Sequence, residues 1–271
     1  MGFLGMNTAA TGLSAMSQSL EITANNLANS QTPGFKSSRA NFEDLFYMEY
    51  AQPGAENSIA DERPTGLYVG LGTTISGTQL DFTQGPAKKT DKPLDVMIEG
   101  GGFFVVQIDP DISDGLAYTR AGNFTTNSEG ELVMATSQGR RILPEIVIPP
   151  NINVNTVQIT NDGYVWAPEP GSPQLVELGR LELALFTNET GLAQIGENLY
   201  VQTEASGEPF IDYPTVEGRG MLMQRFEEQS NVNPVNELVN LITTQRSFDM
   251  NSQAVQAADE MLQALLRMRR F

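Results

Sequence analysis

The 271-residue sequence predicts an α+β protein, with long N- and C-terminal helices that pair as a coiled-coil-like terminal domain and a β-rich middle between them. Three observations predict it. Apolar residues recur at heptad spacing near both ends, the region between carries short β-branched and aromatic runs broken by turn residues, and charge separates along the chain in the same way. The formal net charge is −17, yet residues 1–36 balance Glu21 against Lys36. Residues 233–271 likewise balance Glu237, Asp249, Asp259 and Glu260 against Arg246, Arg267, Arg269 and Arg270. All of the −17 therefore lies in residues 37–232. Neutral ends suit helices that pack against copies of themselves, and an acidic middle suits a solvent-facing domain.

The N-terminal helix is read from Met6, Ala9, Leu13, Met16, Leu20, Thr23 and Leu27, which alternate in steps of three and four as a packing seam of about three heptads does. A continuous helix from about Phe3 to Asn29 would be roughly 40 Å long. The stretch ITANNLANSQTPGFKSSR, Ile22 to Arg39, then stops it at Pro33-Gly34. Asn25, Asn26 and Asn29 crowd the last turns although asparagine competes for backbone hydrogen bonds, so more than helicity is being specified there.

The middle is read as strands at Phe103–Ile108, Ala117–Thr119, Phe124–Thr126, Leu132–Ala135, Thr156–Thr160 and Leu181–Phe186. NSEG at 127–130 and NDG at 161–163 fall between such runs as hairpin turns, and Pro149-Pro150 and PEPGSP at 168–173 mark further loops. No helical period of useful length appears from about 70 to 225. The C-terminal helix is read from Leu241, Phe248, Val255 and Leu262, which recur every seven residues, with Leu238, Ile242, Ala258 and Leu265 widening the stripe. Asn233 followed by Pro234 reads as an N-cap and a first-position proline, and Arg267, Arg269 and Arg270 sit where the helix dipole favours cations.

Composition excludes several chemistries. With no histidine and no cysteine the chain lacks the usual neutral-pH proton carrier, thiolate metal sites, cysteine nucleophiles and disulfides. The acidic balance opposes nucleic acid or an anionic membrane as partner, no run approaches the roughly 20 apolar residues of a membrane span, and MGFLGMNTAATGL lacks the layout of a cleaved signal. DPDISDG at 109–115 resembles a calcium loop but has Asp114 and Arg120 where that loop needs glycine and glutamate, so it reads as an acidic hairpin loop. Gly70-Leu71-Gly72 and Gly100-Gly101-Gly102 lack nucleotide-binding spacing. The adjacent carboxylates Asp61-Glu62 and Glu227-Glu228 diverge rather than converge and are assigned to solvated faces. No catalytic residue, metal ligand or cofactor is expected.

Five segments carry a family resemblance: ANNLANSQTPGFK at 24–36, GGFFVVQ at 101–107, AYTRAGNFTTNSEGELV at 117–133, TGLAQIGENLYVQTEASGEP at 190–209, and the C-terminal SNVNPVNELVNLITTQRSFDMNSQAVQAADEMLQALL at 230–266. Together they resemble the rod and hook axial proteins of the bacterial flagellum, in order and over nearly the whole chain. YAQPGAENSIADERPTGLYVGLG at 50–72 looks like the long insertion of the distal-rod branch rather than the shorter connection of the hook protein. Pro234 and the basic ending LLRMRRF depart from the family pattern in small ways.

The resemblance implies a structural subunit of the distal rod, not an enzyme, that polymerises into a helical tubular drive shaft, transmits torque from the motor to the hook and encloses the export channel. It implies export by the flagellar type III apparatus without a cleaved signal, a place in the basal body across the periplasm, and proximal rod proteins, hook protein, P-ring and L-ring proteins and further copies of itself as partners. The implied layout is an inner assembly domain from residues 1–32 and 233–271, connecting regions at 33–75 and 215–232, and a β-rich outer domain at 76–214. Subunit assembly then falls to Met6, Leu13, Met16, Leu20, Asn25, Leu27 and Asn29 on the first helix, and to Leu238, Leu241, Phe248, Val255, Leu262 and Leu265 on the last. Asn25 and Asn29 would flank the Leu20–Leu27 seam, fixing register between subunits or hydrating the channel surface. The insertion at about 50–66, with Tyr50, Pro53, Gly54, Asp61 and Pro64, would stiffen the rod. A hook or proximal-rod subunit, and an enzyme or carbohydrate-binding module acting on the cell wall, are the alternative readings.

Overall fold

The computed structural model describes residues 2–54, 64–111, 113–169 and 174–268. Two compact units form, one from Met1–Ala28, Ser38–Gln79 and Asn233–Phe271, the other from Asn29–Ser37 and Leu80–Val232.

The first unit holds the two helices, α1 (Gly2–Ala28) and α2 (Pro234–Met268), packed along one another. α1 runs within a residue of its expected bounds. Its threonines satisfy their hydroxyls within the helix: Thr8 and Thr23 donate to the carbonyls of Leu4 and Ser19 one turn back, both at 2.9 Å. α2 begins as its sequence predicts. The Asn233 Oδ1 accepts from the amides of Val235 (3.1 Å) and Asn236 (3.3 Å), and Pro234 occupies the first helical position, where its missing N–H costs nothing. Four strands complete the unit: β1 (Ser38–Asp44), β2 (Tyr47–Ala51), β3 (Leu67–Gly70) and β4 (Thr73–Leu80). β1 pairs with β4, and β2 with β3 antiparallel from Tyr47 opposite Gly70 to Ala51 opposite Leu67.

The second unit is built on the strand Phe103–Gln107. It lies within a seven-stranded sheet, between Leu116–Thr119 and Leu183–Leu185, with Phe210–Asp212 and Ala193–Gly196 at the two edges. Phe104 and Val106 enter one core with Ile98, Met134, Leu181 and Leu222, while Phe103 and Val105 enter a second with Tyr118, Phe186 and Tyr200. A strand buried on both faces has no reason to alternate, which explains the unbroken apolar run FFVV. In the second core Phe103 packs edge-on against Phe82 at 5.4 Å and Phe186 at 5.9 Å.

The two expected hairpin turns form. NSEG joins Phe124–Thr126 to Leu132–Met134, with Asn127 Oδ1 accepting from the amides of Glu129 and Glu131, both at 2.9 Å. NDG joins Gln158–Ile159 to Tyr164–Pro168. DPDISDG connects Phe103–Gln107 to Leu116–Thr119 as a hairpin loop, with Ile112 outside the described residues. The run expected at Thr156–Thr160 is shorter than a full strand. Asn153 Oδ1 accepts from the Asn155 amide at 3.0 Å and starts a 3-10 turn over Val154–Thr156, leaving only Gln158–Ile159 to pair.

Candidate assembly site

On α1 the buried face is made of small residues. Gly12, Ala15, Thr23 and Asn26 are buried, whereas Met6, Leu13, Met16, Leu20 and Leu27 are only half-buried and Asn25 is exposed. A Cβ on Gly12 would lie 3.1 Å from the Asn251 Nδ2 of α2, so the close approach of the two helices uses the absence of a side chain. The larger apolar residues lie about one position around the helix and keep part of their surface open.

α2 shows the converse. Leu241, Phe248, Val255 and Leu262 are half-buried with Ala258 buried, so the heptad expected from sequence is the less exposed face. Leu238, grouped with that seam from sequence, is exposed together with Val235, Val239 and Ile242. The side chain of Leu265 lies outside the described residues, as do Asp61, Arg269 and Arg270. Of the remaining insertion residues, Tyr50, Pro53, Gly54 and Pro64 are exposed, and the flanking strands β2 and β3 pair with one another.

Asn26 anchors the strand that follows. Its Nδ2 donates to the Ser38 carbonyl at 2.8 Å and its Oδ1 accepts from the Ser38 amide at 2.9 Å, so one buried side chain fixes where β1 starts. Asn29 lies just beyond α1, where its Oδ1 accepts from the Thr32 hydroxyl at 3.1 Å.

In the second unit, the PGFK segment supplies the centre of a buried ionic cluster. Lys36 Nζ donates to Glu228 Oε1 at 2.6 Å and to the Thr83 carbonyl at 2.8 Å, and the same Oε1 accepts from the Gly85 amide at 2.9 Å. Arg120 approaches Glu228 Oε2 at 3.9 Å, donates to the Gly100 carbonyl at 2.7 Å, and lies 4.9 Å from the centre of the Phe103 ring. Burial pulls both Lys36 and Arg120 below their ordinary values, with Glu228 opposing the shift in each. Gly34, at φ +70°, rests against the backbone of Ala121, where a Cβ would come within 2.7 Å of the amide nitrogen. The assignment of Glu227-Glu228 to a solvated face is therefore corrected. Neighbours on a strand do diverge, but Glu228 is driven inward by its two cationic partners while Glu227 pairs with the exposed Lys88 at 2.7 Å. Sequence inspection missed this cluster because Lys36 and Glu228 are 192 residues apart.

Among the described residues no group of three His, Cys, Asp or Glu could hold a metal ion, and no helix is long and apolar enough to cross a membrane.

Residues 6–36 match the family described as flagella basal body rod protein, residues 97–167 the D1 domain of the flagellar hook protein FlgE/F/G, and residues 223–268 the C-terminal part of the flagellar basal body rod FlgEFG protein. The chain is 46% identical to the flagellar basal-body rod protein FlgG of Buchnera aphidicola subsp. Schizaphis graminum, over 94% of this chain and 95% of the relative. It is 40% identical to FlgG of Caulobacter vibrioides over 97% and 98%, and 34% identical to the basal-body rod protein FlgF of the same bacterium over 90% and 89%. With relatives this similar over nearly their full length, the chain belongs to the flagellar basal-body rod protein family.

Proposed function

We propose that the chain is a structural subunit of the flagellar distal rod, polymerising into a helical tube that serves as a drive shaft from motor to hook and encloses the export channel. Family membership supports assembly into the basal body with other rod and hook components. The observation that carries the polymer reading is the state of the helical unit: the large apolar residues of α1 stay half-open, and Val235, Leu238, Val239 and Ile242 of α2 stand exposed. Apolar surface of that kind on a soluble chain calls for a partner. In the assembled rod the two helices pair in a coiled-coil-like way and form the inner wall with the sequence-predicted seam residues at subunit contacts. Its neighbours there are proximal rod proteins, the hook protein and the P- and L-ring proteins, it arrives through the type III export apparatus without a cleaved signal, and it has no enzymatic role.

The insertion between Tyr50 and Gly66 stiffens the rod by bridging subunits. Its central AENSIADER is too polar to build a core, while β2 and β3 hold its two ends together. The experiment is complementation of a strain lacking this protein, with basal bodies imaged by electron microscopy. The full chain restores motility and a straight rod of normal length, and the chain without residues 52–65 restores export but gives a bent or shortened rod. Normal basal bodies in the uncomplemented strain would refute the structural role.

A further inference from the structure

Leu4, Thr8 and Ala9 of α1, Tyr50 of β2, Val69 of β3 and Asn251 of α2 enclose an apolar groove of about 500 Å³ within the helical unit. That is room for several aliphatic side chains. The strand pair that supplies Tyr50 and Val69 is open to solvent elsewhere: Phe46, between β1 and β2, is 87% exposed although its carbonyl accepts from the Leu71 amide at 3.1 Å, and Tyr47 and Tyr68 are half-exposed. The same strands carry exposed Glu43, Asp44 and Glu49.

A complementary surface exists on the same unit. Val235, Leu238, Val239 and Ile242 of α2 follow the spacing i, i+3, i+4, i+7 and form one exposed apolar stripe, with Val235 at 71%. Arg246, also exposed, continues that stripe one turn further. The stripe is open to solvent, so it does not fill the groove of its own chain. Resting on the polymer reading above, we infer that the groove receives the first two turns of α2 from a second copy, as an amphipathic helix lies in an apolar groove, with Arg246 reaching the exposed carboxylates that β1 and β2 carry. Stripe and groove are different surfaces of one unit. Where such a contact does not close on itself it repeats from copy to copy and leaves one free stripe and one free groove at the ends, as an open filament does.

The chain has no cysteine, so introduced thiols report without background. Val69→Cys and Leu238→Cys change two exposed positions, one at the groove and one on the stripe. Purified rods of the double variant, treated with a short bis-maleimide that does not require disulfide geometry, are expected to give a ladder of covalent multimers absent from either single variant. Each single cysteine is expected to react with a maleimide in the monomer and to be protected in the rod. Arg246→Glu on the double background should lower the ladder yield about threefold or more by setting like charges against the carboxylates of β1 and β2. Rods that form normally but yield only monomer, an intrachain link or a link to another rod component overturn the inference and leave the polymer reading standing. So does protection of Leu238→Cys with Val69→Cys still reactive, because the stripe is then covered elsewhere. Failure of the unmodified chain to enter rods overturns both.

Discussion

Lys36 and Glu228 show how much a single buried pair can decide. Each side chain is fully removed from solvent, and the pair is held by two backbone partners, so replacing one member strands the other in a low-dielectric site. Lys36→Met should cost about 3–5 kcal/mol, read from denaturant unfolding of the β-rich unit, and Lys36→Met with Glu228→Gln should cost less than the two single changes added together. Tyr118 and Tyr200 make a different prediction. Burial is the main cause that raises both phenols to about 12, and the Tyr118 hydroxyl is buried without a hydrogen-bond partner. In the unfolded chain a phenol ionises near its ordinary value of about 10, while in the folded unit it stays neutral until about 12. The unfolded state therefore releases protons first. The stability these groups contribute is complete below about pH 10 and is lost as pH rises from there through about 12. Tyr118→Phe should leave stability at neutral pH nearly unchanged, since no bond is lost, and should flatten the alkaline loss measured by thermal unfolding across that window.

Elements were legible to different degrees, for physical reasons. α2, its cap and its heptad could be read because large apolar residues form the face it turns inward. α1 could be read as a helix, but its buried face could not, because hydrophobic periodicity weights Leu13 and Leu20 whereas close helix approach uses Gly12 and Ala15. The hairpins were legible from asparagine and glycine at their turns. The ionic cluster was not, since nothing local to PGFK announces a partner on the strand Phe226–Glu228. Asn26 belongs to this scale because it joins one element to the next. Asn26→Ala removes both bonds to Ser38 and leaves part-buried backbone groups short of partners, a loss of about 1–3 kcal/mol within the helical unit. Amide exchange should speed up along Ser38–Asp44 while the unfolding transition of the β-rich unit stays in place. Gly34→Ala acts in the other unit, where the left-handed backbone and the Ala121 contact both reject a methyl group. That variant should lower the thermal midpoint of the β-rich unit by several degrees.

For the whole molecule, two ways of using terminal helices compete. The helices either complete the only core of an ordinary α+β domain, or they belong to a unit whose apolar surface is finished by neighbouring copies. The division of the chain favours the second. The two large cores, around Phe104 and around Phe103, are drawn from residues 80–222, and neither contains a side chain of α1 or α2. A change on a terminal helix should thus leave those cores intact. Leu20 and Leu262 are half-buried on α1 and α2, so an aspartate at either position exposes its carboxylate to solvent in the monomer but meets a dry contact if a neighbour covers the site. Placing an unpaired carboxylate in such a contact adds to the lost burial of a leucine, itself about 2–5 kcal/mol on truncation. Repeated at every subunit, that penalty should stop growth of the polymer. The purified Leu20→Asp and Leu262→Asp variants are accordingly expected to keep the β-sheet circular dichroism signal and a thermal transition of the β-rich unit close to that of the parent chain, while failing to restore motility or to form rods. Loss of that transition in the isolated variant would mean that the helices are part of the core that folds the monomer, and the assembly reading of the two ends would then be wrong.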